Sequence, residues 1–294
     1  MQHRYILFQA YGNTGVLQEC KLALLQLLKY SITDSFCVVL YTDNPGYFKE
    51  PLQQLKHYII EPLTKEKIKE WRGTINFVHR VKIEMLLHFF ETHTGAVVYF
   101  DTDTYCKLSV VPLFEAIEKG YIFMHTCEGR LDNRKSIVSQ KWNRFLKGNQ
   151  NILNSKTKEN IGGLQMWNAG VLGFSDTYIP QLKQVLQLTD SIYPTFPVHT
   201  VEQFAFSYIF QITATLKAAE DIIYHYWDLK EYKTLLNIFF ETNHLLSWQQ
   251  QVEKLQPLLP EIIFAEKGLY KKLPFFKKWI TPKWDIDHYR KLIN

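Results

Sequence analysis

The segment VVYFDTDTYC, residues 97–106, passes from four apolar residues directly into Asp101 and Asp103. The apolar run indicates a buried strand, where an unpartnered carboxylate is costly. Residues two apart in an extended segment point to the same side, and two carboxylates this close repel each other unless a cation lies between them. Mg²⁺ and Mn²⁺ prefer such oxygen ligands. The pair therefore indicates a divalent-metal site; the alternative is that both aspartates cap a helix or a solvated turn.

The segments around this motif alternate between strand-like and helix-like patterns. Strands are predicted over 4–10, 36–43, 57–63, 97–100, 121–128, 164–174 and 214–221, and helices over 16–30, 64–72, 76–92, 179–193 and 200–211. Continuous apolar strands separated by helices are typical of an α/β fold with a mostly parallel sheet covered on both faces. Ligands bind such sheets outside the carboxyl ends of the strands, which is where the two aspartates are expected.

Length and composition predict a large core with an appendage, since 46% of the 294 residues are hydrophobic. Residues 1–230 are expected to form the α/β domain, and 231–294 a helical C-terminal extension. The polar, basic segment 129–163 interrupts the alternation and is expected to be a surface loop or lid. An ordinary insertion is the alternative for this segment.

The distribution of charge and the use of cysteine indicate which partners and which cellular compartment the sequence favours. Eight Lys/Arg and two Asp follow from Lys267 onwards, so the net charge of +5 belongs to the tail, a distribution that argues against a nucleic-acid partner. No stretch approaches the roughly 18 apolar residues of a membrane span, and the N-terminus lacks the features of a signal peptide. Four cysteines without a C-x-x-C pair predict a reduced, cytoplasmic protein without a zinc cluster.

Seven motifs follow one another along the chain: ILFQAYGN, VVLYTD, HRVKIEML, AVVYFDTDTY, MWNAGVLGF, HTVEQFAF and IIYHYWDLK. In this order they resemble GT-A glycosyltransferases with a D-x-D motif, of the glycogenin and bacterial lipopolysaccharide galactosyltransferase type, over roughly residues 4–230. The resemblance implies metal-dependent transfer of a hexose from a nucleoside-diphosphate sugar to a glycan or glycolipid acceptor, with retention of anomeric configuration. It also implies Mn²⁺ or Mg²⁺ as cofactor and a UDP-sugar rather than a GDP-sugar as donor.

Two other interpretations of the same residues stay open. The stretch DTDTY also resembles the strand end of haloacid-dehalogenase-like phosphotransferases, with Asp101 as nucleophile, although no downstream acidic pair of the GDxxxD kind follows. The second alternative is a non-catalytic module that binds nucleotide sugars or glycans.

The resemblance implies that Asp101, Asp103 and His225 hold the metal. Asp103 is also counted among the catalytic residues, and Asp101 among those that bind the nucleotide. For His225 the alternative is a core histidine bonded to a carbonyl group.

Basic residues are needed beside the donor diphosphate. Arg80 is expected to clamp the diphosphate or the aspartates, because a planar guanidinium suits phosphate geometry; a surface salt bridge is the alternative. Lys82 lies two residues on, which places it on a different helix face, so Arg80 is preferred. Lys230 is the implied phosphate ligand near His225, although it follows His225 by five residues where the family has six, and Asp228 replaces a glycine.

The resemblance also implies residues that bind the nucleoside end of the donor. Tyr11 is expected to stack on the base, with Gly12 allowing close backbone approach and Asp43 meeting the base or ribose. Simple turn roles are the alternatives for Gly12 and Asp43.

The sugar end of the donor is assigned to polar residues from two later motifs. Asn168 is expected to line the sugar pocket, and Glu202 and Gln203 to lie beside the anomeric carbon as catalytic residues. Thr200 with Gln203 also matches a capping box at a helix start. Trp227 is either a stacking platform for sugars or part of the core.

The tail, residues 267–294, interleaves paired lysines (271–272 and 277–278) with aromatic residues: Tyr270, Phe275, Phe276, Trp279 and Trp284. Basic residues beside exposed rings suit an anionic membrane surface. We therefore expect peripheral contact with the inner face of a membrane; the alternative is that the rings pack the tail onto the α/β domain.

Overall fold

A seven-stranded sheet forms the centre of the protein, which a computed structural model describes over residues 3–31, 35–153, 161 and 163–293. Side by side, its strands are β10 (Leu216–Ala218), β6 (Ile122–Met124), β9 (Val171–Ser175), β4 (Ala96–Phe100), β1 (Arg4–Ala10), β2 (Cys37–Thr42) and β3 (Tyr58–Pro62). Neighbouring strands are parallel except where β9 is involved. Two small antiparallel sheets pair β5 (Thr104–Cys106) with β11 (Ile223–His225), and β7 (Cys127–Arg130) with β8 (Gln165–Trp167).

Helices flank the sheet, so the predicted α/β architecture with a mostly parallel sheet is confirmed. They are α1 (Thr14–Tyr30), α2 (Lys49–Leu52), α3 (Lys65–Trp71), α4 (Arg80–Thr92), α5 (Val111–Ile117), α6 (Ile137–Gly148), α7 (Ile179–Ile192), α8 (Val201–Thr213), α9 (Tyr232–Thr242), α10 (Trp248–Leu255), α11 (Pro260–Lys272) and α12 (Phe275–Ile280). Local chemistry sets some of the starts. The Asn13 side chain accepts the N–H of Val16 before α1, and Thr64 accepts the N–H of Lys67 before α3.

The central strands are apolar throughout because both faces of the sheet are buried. Val97 and Tyr99 of β4 pack into one hydrophobic cluster with residues of α4, α7 and α8. Val98 and Phe100 pack into a second cluster with residues of α1 and α5. This explains why the run before Asp101 shows no alternation of polar and apolar residues.

Two predicted strands are each divided in the structure. The segment 121–128 forms β6 and the start of β7, and the segment 164–174 forms β8 and most of β9. Each pair of strands belongs to two different sheets. Asn168 therefore does not lie within a buried strand, as the sequence suggested, but in the turn between β8 and β9.

The segment 129–163, predicted as a surface excursion, contains α6, and the side chains of Trp142 and Leu146 on this helix are buried in the main core. Residues 154–160 and 162 of this segment lie outside the described residues, and a lid role stays a prediction. The C-terminal extension is helical as expected, and residues of α9–α11 pack against Leu22 and Leu25 of α1. No helix in the described part of the chain is long and apolar enough to cross a membrane.

Candidate functional site

The carboxyl ends of β1, β2 and β4 meet at one edge of the sheet because these strands are parallel neighbours. β1 leads into Tyr11 and Gly12, β2 into Asp43, and β4 into Asp101. Gly12 has φ of +93°, the left-handed region that favours glycine. Its N–H donates to Oδ2 of Asp43 at 3.0 Å. The predicted turn residues therefore form one hydrogen-bonded rim beside the aspartates.

Antiparallel strands bring later residues to the same edge. Because β9 runs against β4, the turn at 168–170 lies at the carboxyl end of β4, and the N–H of Asp101 donates to the Gly170 carbonyl at 2.8 Å. β11 runs against β5 and ends at His225, beside Asp103. Residues more than 100 positions apart are thereby gathered around the D-x-D motif.

Asp101, Asp103 and His225 form a group whose potential ligand atoms lie within 4.8 Å of one another. His225 Nδ1 is 2.9 Å from Asn168 Oδ1, and Nε2 is 3.1 Å from Asp103 Oδ1. The amide of Asn168 donates to the Glu128 carboxylate, so its Oδ1 faces the ring and accepts the proton of Nδ1. The Nε2 lone pair of a neutral imidazole then faces a carboxylate oxygen. Two acceptors at this distance need a proton or a cation between them.

This set of donors fits a divalent cation, since the two carboxylates suit Mn²⁺ or Mg²⁺ and an imidazole is a common ligand of first-row divalent metals. Asn168 fixes the ring tautomer, as the partners of metal-bound histidines commonly do. Burial would raise the pKa of Asp103, but the hydrogen bond and charge of His225, a backbone hydrogen bond and the charge of Lys233 together hold that pKa below its usual value. Burial lowers the pKa of His225, but the carboxylates of Asp103 and Asp101 together raise it above its usual value. The three predicted ligands therefore lie together, and Asp103 and His225 stabilise each other's charged forms.

Gly170 leaves space for the His225 ring, because a Cβ there would lie 2.3 Å from Cε1 and 2.4 Å from Nδ1 of the imidazole. We expect Gly170→Ala to displace the ring and to weaken Mn²⁺ binding by about 10–100-fold, measured by Mn²⁺ titration with electron paramagnetic resonance. Gly268→Ala is the matched control, since a Cβ at that position meets no atom within 4 Å. Equal Mn²⁺ affinities for the two variants would contradict His225 as a ligand.

The aspartates separate two cavities in the cleft. The β9-side cavity, about 290 Å³, and the β1-side cavity, about 470 Å³, share four lining residues: His79, Lys82, Asp101 and Asp103. The β9-side cavity is also lined by Glu128, Asn168, Glu202, Gln203, His225 and Trp227 among others. The β1-side cavity is also lined by Tyr11, Gly12, Glu19 and Lys233 among others. Most of the predicted site residues therefore lie in one continuous cleft.

Lys82, which the sequence analysis ranked below Arg80, is the basic residue beside the aspartates. Its Nζ is 3.2 Å from Asp101 Oδ1 and 3.1 Å from Glu202 Oε1, and it donates to the Ala169 carbonyl at 3.0 Å. Only 3% of Lys82 is exposed. This ammonium therefore links the D-x-D motif to the start of α8.

Arg80 is directed away from the cleft, which corrects the expectation that it clamps the diphosphate or the aspartates. Its guanidinium donates to Asp190 of α7 at 2.7 Å and to the Trp71 carbonyl at 2.8 Å. It also pairs with Glu84 at 2.7 Å. Arg80 is the first residue of α4, so its face meets α3 and α7, whereas Lys82 two residues on faces the cleft.

The start of α8 places Glu202 and Gln203 in the β9-side cavity. The predicted capping box is absent, because Gln203 Nε2 donates to Glu128 Oε2 at 2.9 Å and Thr200 Oγ1 accepts from Trp142 Nε1 at 2.9 Å. Burial raises the pKa of Glu202, and the buried ammonium beside it offsets only part of this effect. Both side chains face the cleft rather than their own helix terminus.

Sequence reasoning missed Glu128, which accepts 2.9 Å hydrogen bonds from Asn168 Nδ2 and Gln203 Nε2. One signal could have found it, because Glu128 is the last residue of the predicted strand 121–128 and the carboxyl ends of strands line such clefts.

Lys233, rather than Lys230, is the lysine that lines the β1-side cavity. Lys230 is exposed and is not among the residues that line either described cavity. Lys233 Nζ is 3.0 Å from Oε2 of Glu19, a buried residue of α1. Burial, reinforced by the charge of Asp103, raises the pKa of Glu19 to about 7. The sequence carries no local signal for this pair, since Glu19 lies within an ordinary helical pattern.

Comparison with known proteins gives matches among solved structures only, since no protein-family model and no curated protein sequence matches. The chain is similar to mouse xyloside xylosyltransferase 1 in its apo form, at 13% identity and a TM-score of 0.49, covering 73% of this chain and 84% of that one. It is similar to core-mannan synthase A from Aspergillus fumigatus in an Mn/GDP form, at 9% identity and a TM-score of 0.47, covering 75% of this chain and 74% of that one. It is also similar to the galactosyltransferase LgtC in complex with donor and acceptor sugar analogues, at 13% identity and a TM-score of 0.46, covering 70% of each chain. At these identities and TM-scores the similarities establish neither the family nor the activity of this chain.

Proposed function

We propose that the chain is a metal-dependent glycosyltransferase of the GT-A type, which moves a hexose from a nucleoside-diphosphate sugar to a glycan or glycolipid acceptor. The observation that carries this proposal is that Asp101 and Asp103 line both cavities, with His225 beside them in the β9-side cavity. A diphosphate bound there can extend its nucleoside into one cavity and its sugar into the other. The resemblance of the motifs supports UDP as the nucleotide and retention of anomeric configuration.

The β1-side cavity is proposed to take the nucleoside. Tyr11 offers an aromatic face for the base, Gly12 allows close backbone approach, and Asp43 holds the Gly12 turn in place. Lys233 takes the phosphate-binding role that the sequence analysis gave to Lys230, because its ammonium lies at this cavity and Lys230 does not.

The β9-side cavity is proposed to take the hexose, whose hydroxyls Asn168 and Gln203 orient while Glu202, held by Lys82, lies beside the anomeric carbon. Mn²⁺ or Mg²⁺ held by the three ligands would stabilise the negative charge that grows on the departing phosphate. The anomeric C–O bond breaks with its electron pair leaving on the diphosphate. The acceptor hydroxyl oxygen forms the new bond, and its proton passes to the departing diphosphate.

A screen of nucleotide sugars tests the proposal. With Mn²⁺ present, the correct donor at about 100 times its Kd should raise Tm by roughly 4 °C, and the enzyme should slowly hydrolyse it to nucleoside diphosphate and free sugar. A haloacid-dehalogenase-like phosphotransferase would instead form an aspartyl phosphate on Asp101, and a binding module would be stabilised without turnover. Trapping a phosphoenzyme with a phosphomonoester would overturn the proposal.

We also propose that the protein is cytoplasmic and contacts the inner face of an anionic membrane. Three of the six tail aromatics are strongly exposed, whereas Tyr270 and Trp284 are half-buried and Tyr289 is buried. We call the exposed apolar side chains of α11 and α12 the tail surface, each 68% to 84% exposed: Leu269, Phe275, Phe276, Trp279 and Ile280. The lysines at 271, 272, 277 and 278 lie on the same two helices. An apolar patch edged by cations complements an anionic lipid surface.

Liposome sedimentation tests this contact. At about 1 kcal/mol for each lysine near an anionic surface, changing the four lysines at 271, 272, 277 and 278 to Gln should weaken binding to anionic liposomes by up to about a thousandfold. Changing four exposed lysines elsewhere, at 49, 119, 147 and 183, removes the same charge and should weaken binding far less. If the wild type ignores anionic liposomes at low salt, or both variants bind equally, the tail surface has another partner.

A further inference from the structure

Trp227 presents an exposed indole to the β9-side cavity. It is 57% exposed and follows β11 by two residues, next to the metal-ligand group. Val138 of α6, 42% exposed, lines the same cavity from a different element. Most of the other lining residues are polar or charged. Large apolar side chains left uncovered in a cleft beside charged groups are typical of a ligand contact.

Glu128 supplies a fixed polar group in the same cavity. Each of its carboxylate oxygens accepts one amide N–H, from Asn168 and from Gln203, so the group is held in one orientation. Among the described residues no Lys, Arg or His pairs with it. Each oxygen keeps a free lone pair, and a hydrogen bond from a hydroxyl to a carboxylate is charge-assisted.

The geometry points to an acceptor subsite formed by Trp227, Val138 and Glu128, which takes a pyranose ring. One face of such a ring carries C–H groups that stack on the indole, and its edge carries hydroxyls that can donate to Glu128. This inference rests on the proposed function, and it adds where the acceptor binds and which part of the acceptor is recognised.

The placement separates this subsite from the donor nucleotide. Trp227, Val138 and Glu128 line only the β9-side cavity, whereas Tyr11 and Lys233 line only the β1-side cavity. Two apolar side chains, Trp227 and Val138, can cover one face of a single ring and are too few to cover an acyl chain. The subsite therefore recognises the carbohydrate of the acceptor, whatever carries that carbohydrate.

Fluorine NMR of protein labelled with 5-fluorotryptophan tests binding directly. The chain has seven tryptophans, and the resonance lost in Trp227→Phe identifies residue 227. With UDP and Mn²⁺ present, the probes are the methyl glycosides of glucose, galactose, mannose and N-acetylglucosamine, together with lactose, maltose and cellobiose. We expect at least one probe to shift the Trp227 resonance saturably while Trp279, on the tail surface, stays unshifted. If no probe of the panel shifts the Trp227 resonance, the inference is wrong.

Kinetics with the probe that shifts Trp227 most give the second test. Aromatic stacking of about 0.5–1.5 kcal/mol predicts that Trp227→Ala raises the acceptor KM about two- to twelvefold. The Kd for the donor should stay near the wild-type value, and Trp227→Phe should restore most of the acceptor affinity. Trp279→Ala is the matched control for loss of an exposed indole, and equal KM values for Trp227→Ala and Trp279→Ala overturn the subsite.

The two proposals fail in different ways. If probes shift Trp227 but no nucleotide sugar binds or is hydrolysed, the carbohydrate subsite stands and the glycosyltransferase proposal fails. If a donor is hydrolysed but no probe reaches Trp227, the donor site stands and the subsite is wrong.

Discussion

We expect EDTA to abolish sugar transfer. We also expect Asp103→Asn to lower the transfer rate by about 10²–10³-fold while the fold is retained. The loss corresponds to one missing charge-stabilising group at the departing phosphate. Asn has nearly the shape of Asp, so the hydrogen-bonded surroundings of His225 can persist while one anionic ligand is removed. The measurement is the initial rate of nucleoside-diphosphate release at saturating donor, with Mn²⁺ varied.

Asp132→Asn provides the control for this substitution. Asp132 pairs with Arg130 at 2.8 Å on the surface, and its replacement removes one carboxylate without touching the cleft. Added Mn²⁺ should restore activity to the EDTA-treated wild type and to Asp132→Asn, but not fully to Asp103→Asn. Full activity of the wild type in excess EDTA would exclude a metal-dependent mechanism.

The rule that ligands bind at the carboxyl ends of strands located much of the site from sequence alone. Asp101 ends a strand whose four preceding residues are all apolar, and this contrast is visible locally. His225 required the family resemblance, because its position beside Asp103 depends on antiparallel pairing between β11 and β5. Pairing between segments more than 100 residues apart leaves no local pattern.

The divided strands show a second limit of local patterns. An apolar run predicts that a segment is extended and buried, but not which sheet it joins. In 164–174 the chain leaves the small sheet at Trp167, turns through Asn168, and enters the central sheet at Val171. The turn residues Asn168, Ala169 and Gly170 line the cleft, and from the divided segment 121–128 it is Glu128, within β7, that does so.

Lys82, and not the predicted Arg80, lies beside the aspartates because of contacts between distant parts of the chain. Helical spacing correctly placed the two side chains on different faces, but it could not say which face meets the cleft. That is decided by Glu202, which lies 120 positions further along the chain and pairs with the buried ammonium of Lys82. Burying a lysine is favourable only when such a partner is present.

Lys82→Met is expected to lower the free energy of unfolding by about 3–5 kcal/mol, the usual cost of breaking a buried ion pair by removing one partner. The substitution keeps a long unbranched side chain, so charge is lost rather than volume. Glu202, only 3% exposed, would then lack its cation. Unfolding in urea followed by circular dichroism measures the change. Lys183→Met, at an exposed position on α7, should stay within about 0.5 kcal/mol of wild type.

Two further measurements assign this loss to charge. The double variant Lys82→Met/Glu202→Gln should regain a large part of the stability, because no buried carboxylate is left without a partner. In the single variant, burial keeps the pKa of Glu202 above its unfolded value of about 4.3. The folded state then binds this proton more tightly than the unfolded state, so the deficit is small in acid and grows as pH rises through the folded pKa. A deficit that is equal in acid and in alkali, or a double variant as unstable as Lys82→Met, would show that Lys82 stabilises the cleft by packing rather than by charge.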